Sequence, residues 1–265
     1  MNVGILPGFP QYGVDQGVLP GLPASRASHD DVVRGIAGLR QWYAADKIPG
    51  VTHGAGVALW PDSSGNGFDV VQATSGNQPV FQTNVFNDQP ALLFDGTNTY
   101  LENTALNPFA SGAARTVIAV VSTTHATNNV YLSFRLTAPL WLYQAYFDPS
   151  YQGIFWGDAT SGGSNTVAGA VLAARGPGAT ILTVRAPGAG GQQQLRVNGK
   201  NATVTAGSTE NSDTGTTGIY VGRREGTIQR FTGHIGEIIT YTGALSDADC
   251  LLVEKSLMRK YFDLR

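Results

Sequence analysis

The stretch from Trp141 to Trp156 holds the densest set of groups able to recognise a ligand. Trp141, Tyr143, Tyr146, Phe147, Tyr151, Phe155 and Trp156 are interspersed with Gln144, Asp148 and Gln152 and followed by Asp158. Sugars bind to such surfaces by stacking their apolar faces on rings while their hydroxyls bond to neighbouring polar groups. Alternation along a strand puts Trp141, Tyr143 and Phe147 on one face and Leu142 and Tyr146 on the other, so core packing accounts for about half of the rings. Tyr143, Tyr146, Tyr151, Trp156 and Asp158 are therefore the candidate ligand contacts, with a core role as the competing reading.

Other chemistries lack their residues. His29, His53, His125 and His234 are scattered, with no partner at zinc-ligand spacing. Gly-x-Ser-x-Gly, the phosphate-binding loop and the dinucleotide fingerprint are missing, so the glycine clusters at 162–163 and 188–191 read as loops. The glutamates are Glu102, Glu210, Glu225, Glu237 and Glu254, and none has an acidic neighbour two or four positions away on a shared strand face. Glu237 lies in a β-branched run, where a hydrogen-bonding or ion-pairing role within the fold outweighs catalysis. The single cysteine, Cys250, falls on the apolar stripe of a helix and reads as a buried spectator.

Charged residues make up 14% of the chain and glycines number 34, a composition that favours sheets joined by tight turns. A net charge of -2, with no run of Lys or Arg, provides no general attraction to phosphate and argues against nucleic acid as a partner. No segment approaches the roughly 18 consecutive apolar residues of a membrane span. The N-terminus lacks a basic region followed by an apolar block, so folding in a cytoplasm is the expectation.

The closing segment, Gly218 to Leu264, reads as two adjacent strands and a helix. Ile219 and Val221 alternate with Tyr220 and Gly222; after the polar loop Arg223 to Gln229, Phe231 to Tyr241 is rich in β-branched residues. Ser246 and Asp249 form a capping-box-like start, and Cys250, Val253, Leu257 and Tyr261 recur at helical spacing, which predicts a helix over 247–262. Residues 1–28 mix Pro and Gly with Ile5, Leu6, Phe9 and Tyr12, suited to an extended arm that docks on something or to a disordered terminus. Val32, Val33 and Ile36 suit one or two helical turns, and the main domain is expected over 38–265, after an arm and linker over 1–37. Thr116 to Val121 is apolar on both parities and belongs between two layers. Asp95-Gly96 predicts a hairpin returning at Tyr100-Leu101, and Asn198-Gly199 predicts another. Short strands at intervals of roughly 8 to 15 residues, without an internal repeat, leave a two-sheet antiparallel sandwich.

The motifs Leu39-x-x-Trp42, Trp60-x-Asp62-x-Ser64-Gly65-Asn66-Gly67, Phe94-Asp95-Gly96, Val197-Asn198-Gly199, Val221-Gly222-Arg223 and the strand from Phe231 to Tyr241 come in a telling order. Together they resemble the concanavalin A-like, laminin-G-type jelly-roll domains of lectin-like modules and of bacteriophage tail and virion proteins. The resemblance covers about Gly38 to Leu264. It implies an all-β jelly roll with one C-terminal α-helix, to which the composition of the N-terminus adds an extended arm. Because such relatives hold calcium through loop oxygens, it makes Asp62, Asn66 and Asp69 the best metal candidates, with Asp148 and Asp158 behind them. The competing reading is that Asp62 and Asn66 satisfy turn backbone. Sandwich hydrolases place paired acids along one strand, and this chain has no such set. The functional expectation is a non-enzymatic virion protein of a phage tail or capsid, binding other virion proteins through the arm, forming homo-oligomers and attaching to host-surface glycan. A free-standing lectin and a glycan hydrolase of unfamiliar arrangement are the rivals.

Overall fold

The structure, a computed structural model, describes residues 27–106, 108–110, 113–123, 129–136, 141–148, 153–155, 166–167, 176–188, 191, 194–201, 216–224 and 230–262. Helix α1 (His29–Gly35) precedes β1 (Leu39–Ala44), β2 (Leu59–Trp60), β3 (Val70–Val71), β4 (Val80–Phe86), β5 (Gln89–Asp95) and β6 (Leu101–Asn103). Then come β7 (Arg115–Thr123), β8 (Asn129–Leu136), β9 (Trp141–Asp148), β10 (Gly153–Phe155) and β11 (Thr166–Val167). The chain closes through β12 (Gly176–Ala186), β13 (Gln194–Val197), β14 (Lys200–Asn201), β15 (Thr216–Val221), β16 (Thr232–Thr242) and α2 (Asp247–Tyr261). The arm expected over residues 1–28 lies, but for its last two residues, outside the described ones.

Two antiparallel sheets form a jelly-roll sandwich. The first runs β14-β13-β12-β7-β16-β5-β4, with β1 also on β16; the second runs β11-β10-β9-β8-β15-β6-β3-β2. Every residue of β7 is buried, and the two parities serve different cores. Val117, Ala119 and Val121 face the second sheet among Trp60, Phe94, Leu132 and Ile219. Ile118 and Val120 face a helical layer among Val33, Trp42, Cys250, Val253 and Leu257. An apolar run on both parities thus marks a sheet covered on both faces.

The helical layer is built by local rules. Ser28 caps α1 in a reciprocal box with Asp31, and Ser246 accepts the Asp249 N–H at the start of α2. Val32 and Val33 on α1 and the Cys250, Val253, Leu257 and Tyr261 stripe on α2 are buried. Among the described residues no helix is long and apolar enough to cross a membrane.

Strand partnering departs from the sequence expectation at two turns. The two closing strands are consecutive in the chain yet lie in opposite sheets, β15 in the second and β16 in the first, joined at the Arg223–Arg230 bridge. Asp95-Gly96 does not close a hairpin either. The Asp95 carboxylate accepts the N–H groups of Thr97, Asn98 and Thr99, and β6 then pairs with β15 and β3 instead of β5. The tight hairpin is the preceding one, where Asn87 and Asp88 take φ of 46° and 62° and Phe86 pairs with Gln89. Asn198-Gly199 does close its hairpin, with φ of 48° and 78° and Val197 opposite Lys200.

Candidate functional site

Asp62 is committed to its turn. Its Oδ1 accepts the N–H of Trp42 and of Ser64, each at 2.9 Å; its Oδ2 accepts the Phe68 N–H at 3.0 Å and the Ser64 hydroxyl at 2.8 Å. Asp69 accepts the Asp62 N–H at 2.7 Å, and the Asn66 amide donates to the carbonyls of Leu39 and Arg40. These bonds tie the turn to β1. Among the described residues no three His, Cys, Asp or Glu side chains gather as a metal site.

Glu237 occupies the helix-covered face of the first sheet, where β16 changes partner from β5 to β1. It is fully buried. Its Oε1 accepts from His29 Nε2 and Trp42 Nε1, both at 2.6 Å, and its Oε2 accepts from Lys260 Nζ at 3.0 Å and Tyr261 Oη at 2.9 Å. The donors come from α1, β1 and α2. Lys260 also reaches Asp46, and the other nitrogen of His29 meets Ser256. Burial alone would raise the Glu237 pKa, but the His29 hydrogen bond and the charges of His29 and Lys260 outweigh it and hold the carboxyl down, to about 2. Gly236 beside it is tightly enclosed, since a Cβ would lie 3.0 Å from the Tyr261 ring and 3.3 Å from that of Phe86, which would have to give way slightly. This carboxylate fastens the helices to the sheet and is out of reach of any substrate.

The outer side of the second sheet is different. Trp60, Val70, Leu101, Ile219 and Val221 point to the core, so the residues alternating with them face outward. In register across five strands these are Leu59, Val71, Glu102, Tyr220 and Ser133, of which Tyr220 and Ser133 are buried. Leu59 is 43% exposed and Val71 47%. At the end of β15 the Arg223 guanidinium lies 3.5 Å from the Tyr100 ring centre and 5.1 Å from that of Tyr220. Its Nη2 is 2.5 Å from Glu102 Oε2. Arg230, across the bridge, sits 5.9 Å over the same Tyr100 ring. A ring, two guanidinium groups and a carboxylate are thus gathered on one outer face, beside an apolar flank that is exposed at Leu59 and Val71. Such a set can stack on a sugar and bond its hydroxyls.

No protein-family model matches this sequence, and no curated protein matches it. The fold has known counterparts. Trypanosoma rangeli sialidase in complex with sialic acid superposes with a TM-score of 0.56 over 89% of this chain, at 14% identity, and the chain spans 38% of the sialidase. The binding domain of Paraclostridial Mosquitocidal Protein 1 gives 0.61 at 10% identity, with 85% and 53% of the two chains covered. Domain 4 of AbnA, an extracellular arabinanase from Geobacillus stearothermophilus solved in complex with arabinotriose, gives 0.50 at 12% identity, covering 82% of this chain and 98% of that one. At these identities the sandwich fold is what is shared.

The sequence-predicted ligand residues are placed only in part. Tyr143 and Tyr146 belong to β9, which pairs with β8 in the second sheet. Their side chains, and Tyr151, Trp156 and Asp158 altogether, lie outside the described residues. Tyr100, Glu102, Arg223 and Arg230 were not singled out from sequence as ligand contacts, although Arg223-Arg224 and Arg230 bracket one short loop. That recurrence of arginine in a chain with 17 basic residues was the available signal.

Proposed function

We propose that this chain is a non-catalytic glycan-binding sandwich whose binding surface is the open face of the second sheet, and that it serves as a structural and attachment component of a bacteriophage particle. The observation that carries the glycan half is the Tyr100, Arg223, Glu102 and Tyr220 cluster beside exposed Leu59 and Val71. Planar rings with charged hydrogen-bonding groups at their edges are what saccharide recognition requires. Fold counterparts solved with arabinotriose or sialic acid, and one described as a binding domain, support the same reading. Catalysis through Glu237 is disfavoured because four donors enclose it.

The virion half rests on the sequence resemblance and on the apolar Gly/Pro-rich residues 1–28, which suit lashing one subunit to another virion protein or to a second copy. Calcium at Asp62, Asn66 and Asp69 has less support than the turn-capping role.

Retention of the chain on an immobilised glycan panel, reduced at least tenfold by Tyr100→Ala without loss of folding, is the expected result. Absence of retention on every glycan overturns the binding half, and release of reducing sugar overturns the non-catalytic half. Mass spectrometry of purified particles tests the virion half, which falls if the chain stays in the particle-free lysate.

A further inference from the structure

Among the described residues around Tyr100, two guanidinium groups meet one carboxylate. Arg223 has Glu102, at 2.5 Å. Arg230 has no carboxylate partner among the described residues; what it meets is the Tyr100 ring. Two donors are left over, Arg223 Nε and Arg230 Nη1, both buried and without a hydrogen bond. A buried guanidinium N–H without an acceptor is costly, and such groups are rare in folded proteins unless something else completes them.

At Arg196 and Arg185 the chain supplies a carboxylate, although Arg185 too keeps a buried Nε without a hydrogen bond. Arg196 is paired through two nitrogens with Glu254 and bonded to Asn201 and the Gly199 carbonyl. Arg185, lining an open groove of about 600 Å³, is held by Asp247 and the Leu245 carbonyl. What sets the pair at Tyr100 apart is that two guanidinium groups share one ring and, among the described residues, one carboxylate. Overall charge cannot account for an anion there, since the chain is net negative at -2.

We infer that Arg223 and Arg230 form an anion-reading subsite, and that the saccharide bound on this face carries a carboxylate or sulfate group. The inference rests on the glycan-binding reading and narrows it. A guanidinium fork bonds such groups through two parallel N–H donors, while Tyr100 supplies the plane beneath it. Glu102 competes for Arg223 and keeps the subsite closed to weak anions.

The test uses the full chain in calorimetric titration against three polymers that separate the possible sources of charge: polygalacturonate, its carboxyl-reduced neutral galactan, and a sulfated galactan. Binding to one or both charged polymers should exceed binding to the neutral one by at least about tenfold, the worth of one charge-assisted hydrogen bond. Arg230→Ala should remove that preference while leaving the melting temperature unchanged. Glu102→Gln should raise the ratio of charged-polymer to neutral-polymer binding severalfold, a response that a purely structural pair would not give. Equal binding of all three polymers, or a preference untouched by Arg230→Ala, overturns the anion subsite and leaves glycan binding standing. Failure to bind any of the three, together with silence across the glycan panel, sinks both.

Discussion

Glu237 and Arg230 are charged groups placed on opposite outer faces of the same sandwich, and their surroundings obey opposite rules. Around Glu237 the donors converge from three elements until both oxygens are filled, and α1 and α2 exclude water. Around Arg230 the described residues supply a ring and no carboxylate, and its Nη1 has no hydrogen bond. A buried ion satisfied on every side is part of the fold's own wiring, because its desolvation is already offset within the chain. A cation that finds a ring but no carboxylate among the described residues has part of that cost still open. The difference separates groups that hold the protein together from groups that can hold something else.

The largest effect should follow from removing the filled carboxylate. Glu237→Ala strands Lys260 and the His29 and Trp42 N–H groups in the interior, and should cost on the order of 3–5 kcal/mol in urea unfolding. A loss below about 1 kcal/mol would erase the contrast between the two faces.

Acid offers a second route to the same site. The folded carboxyl titrates at about 2, below the roughly 4.3 of an unfolded glutamate, so the unfolded chain binds the proton more readily. The contribution is therefore complete above about pH 4.5 and declines as pH falls toward 2, by on the order of 3 kcal/mol. Subtracting the pH profile of Glu237→Gln from that of the native chain should isolate this slope. Parallel profiles would show that the ion pairs do not set acid stability.

Asp62 is a milder case of the filled kind. Asp62→Ala releases the N–H groups of Trp42, Ser64 and Phe68, and should cost roughly 2 kcal/mol, since the turn is open enough for water to replace part of what is lost. Calcium or a chelator should leave the melting temperature of the native chain where it is. A rise with calcium that disappears in Asp62→Ala would reassign the turn as a metal site.

What could be read from sequence follows the same division between local and distant causes. The doubly apolar run of β7, the capped α2 and the Asn198-Gly199 turn depend on neighbours in the chain, and the structure has them as expected. The capping of Asp62 was likewise visible in its turn residues. Partner choice was not. Asp95-Gly96 has the composition of a hairpin, but its carboxylate caps three successive N–H groups and turns the chain into the other sheet. Glu237 draws two of its donors from 208 and 195 positions away, a distance at which no spacing pattern operates. Arg223 and Arg230 look like a polar loop until the bridge between β15 and β16 sets them over one ring.

The smallest effect on stability sharpens the comparison most. Arg196 and Arg230 are both arginines on partly covered surfaces, and their removal should separate by several kcal/mol. Arg196→Ala abandons the fully buried Glu254 carboxylate and unpins the Asn198-Gly199 hairpin from α2, a loss on the order of 3 kcal/mol. Arg230→Ala deletes a guanidinium that meets only the Tyr100 ring among the described residues. Its stability should stay within about 0.5 kcal/mol of the native chain in the same urea titration. Even a slight gain is consistent with the argument, because the variant no longer buries an N–H without an acceptor. If instead Arg230→Ala falls as far as Arg196→Ala, the cation over Tyr100 belongs to the fold after all, and the open face loses its claim to a ligand.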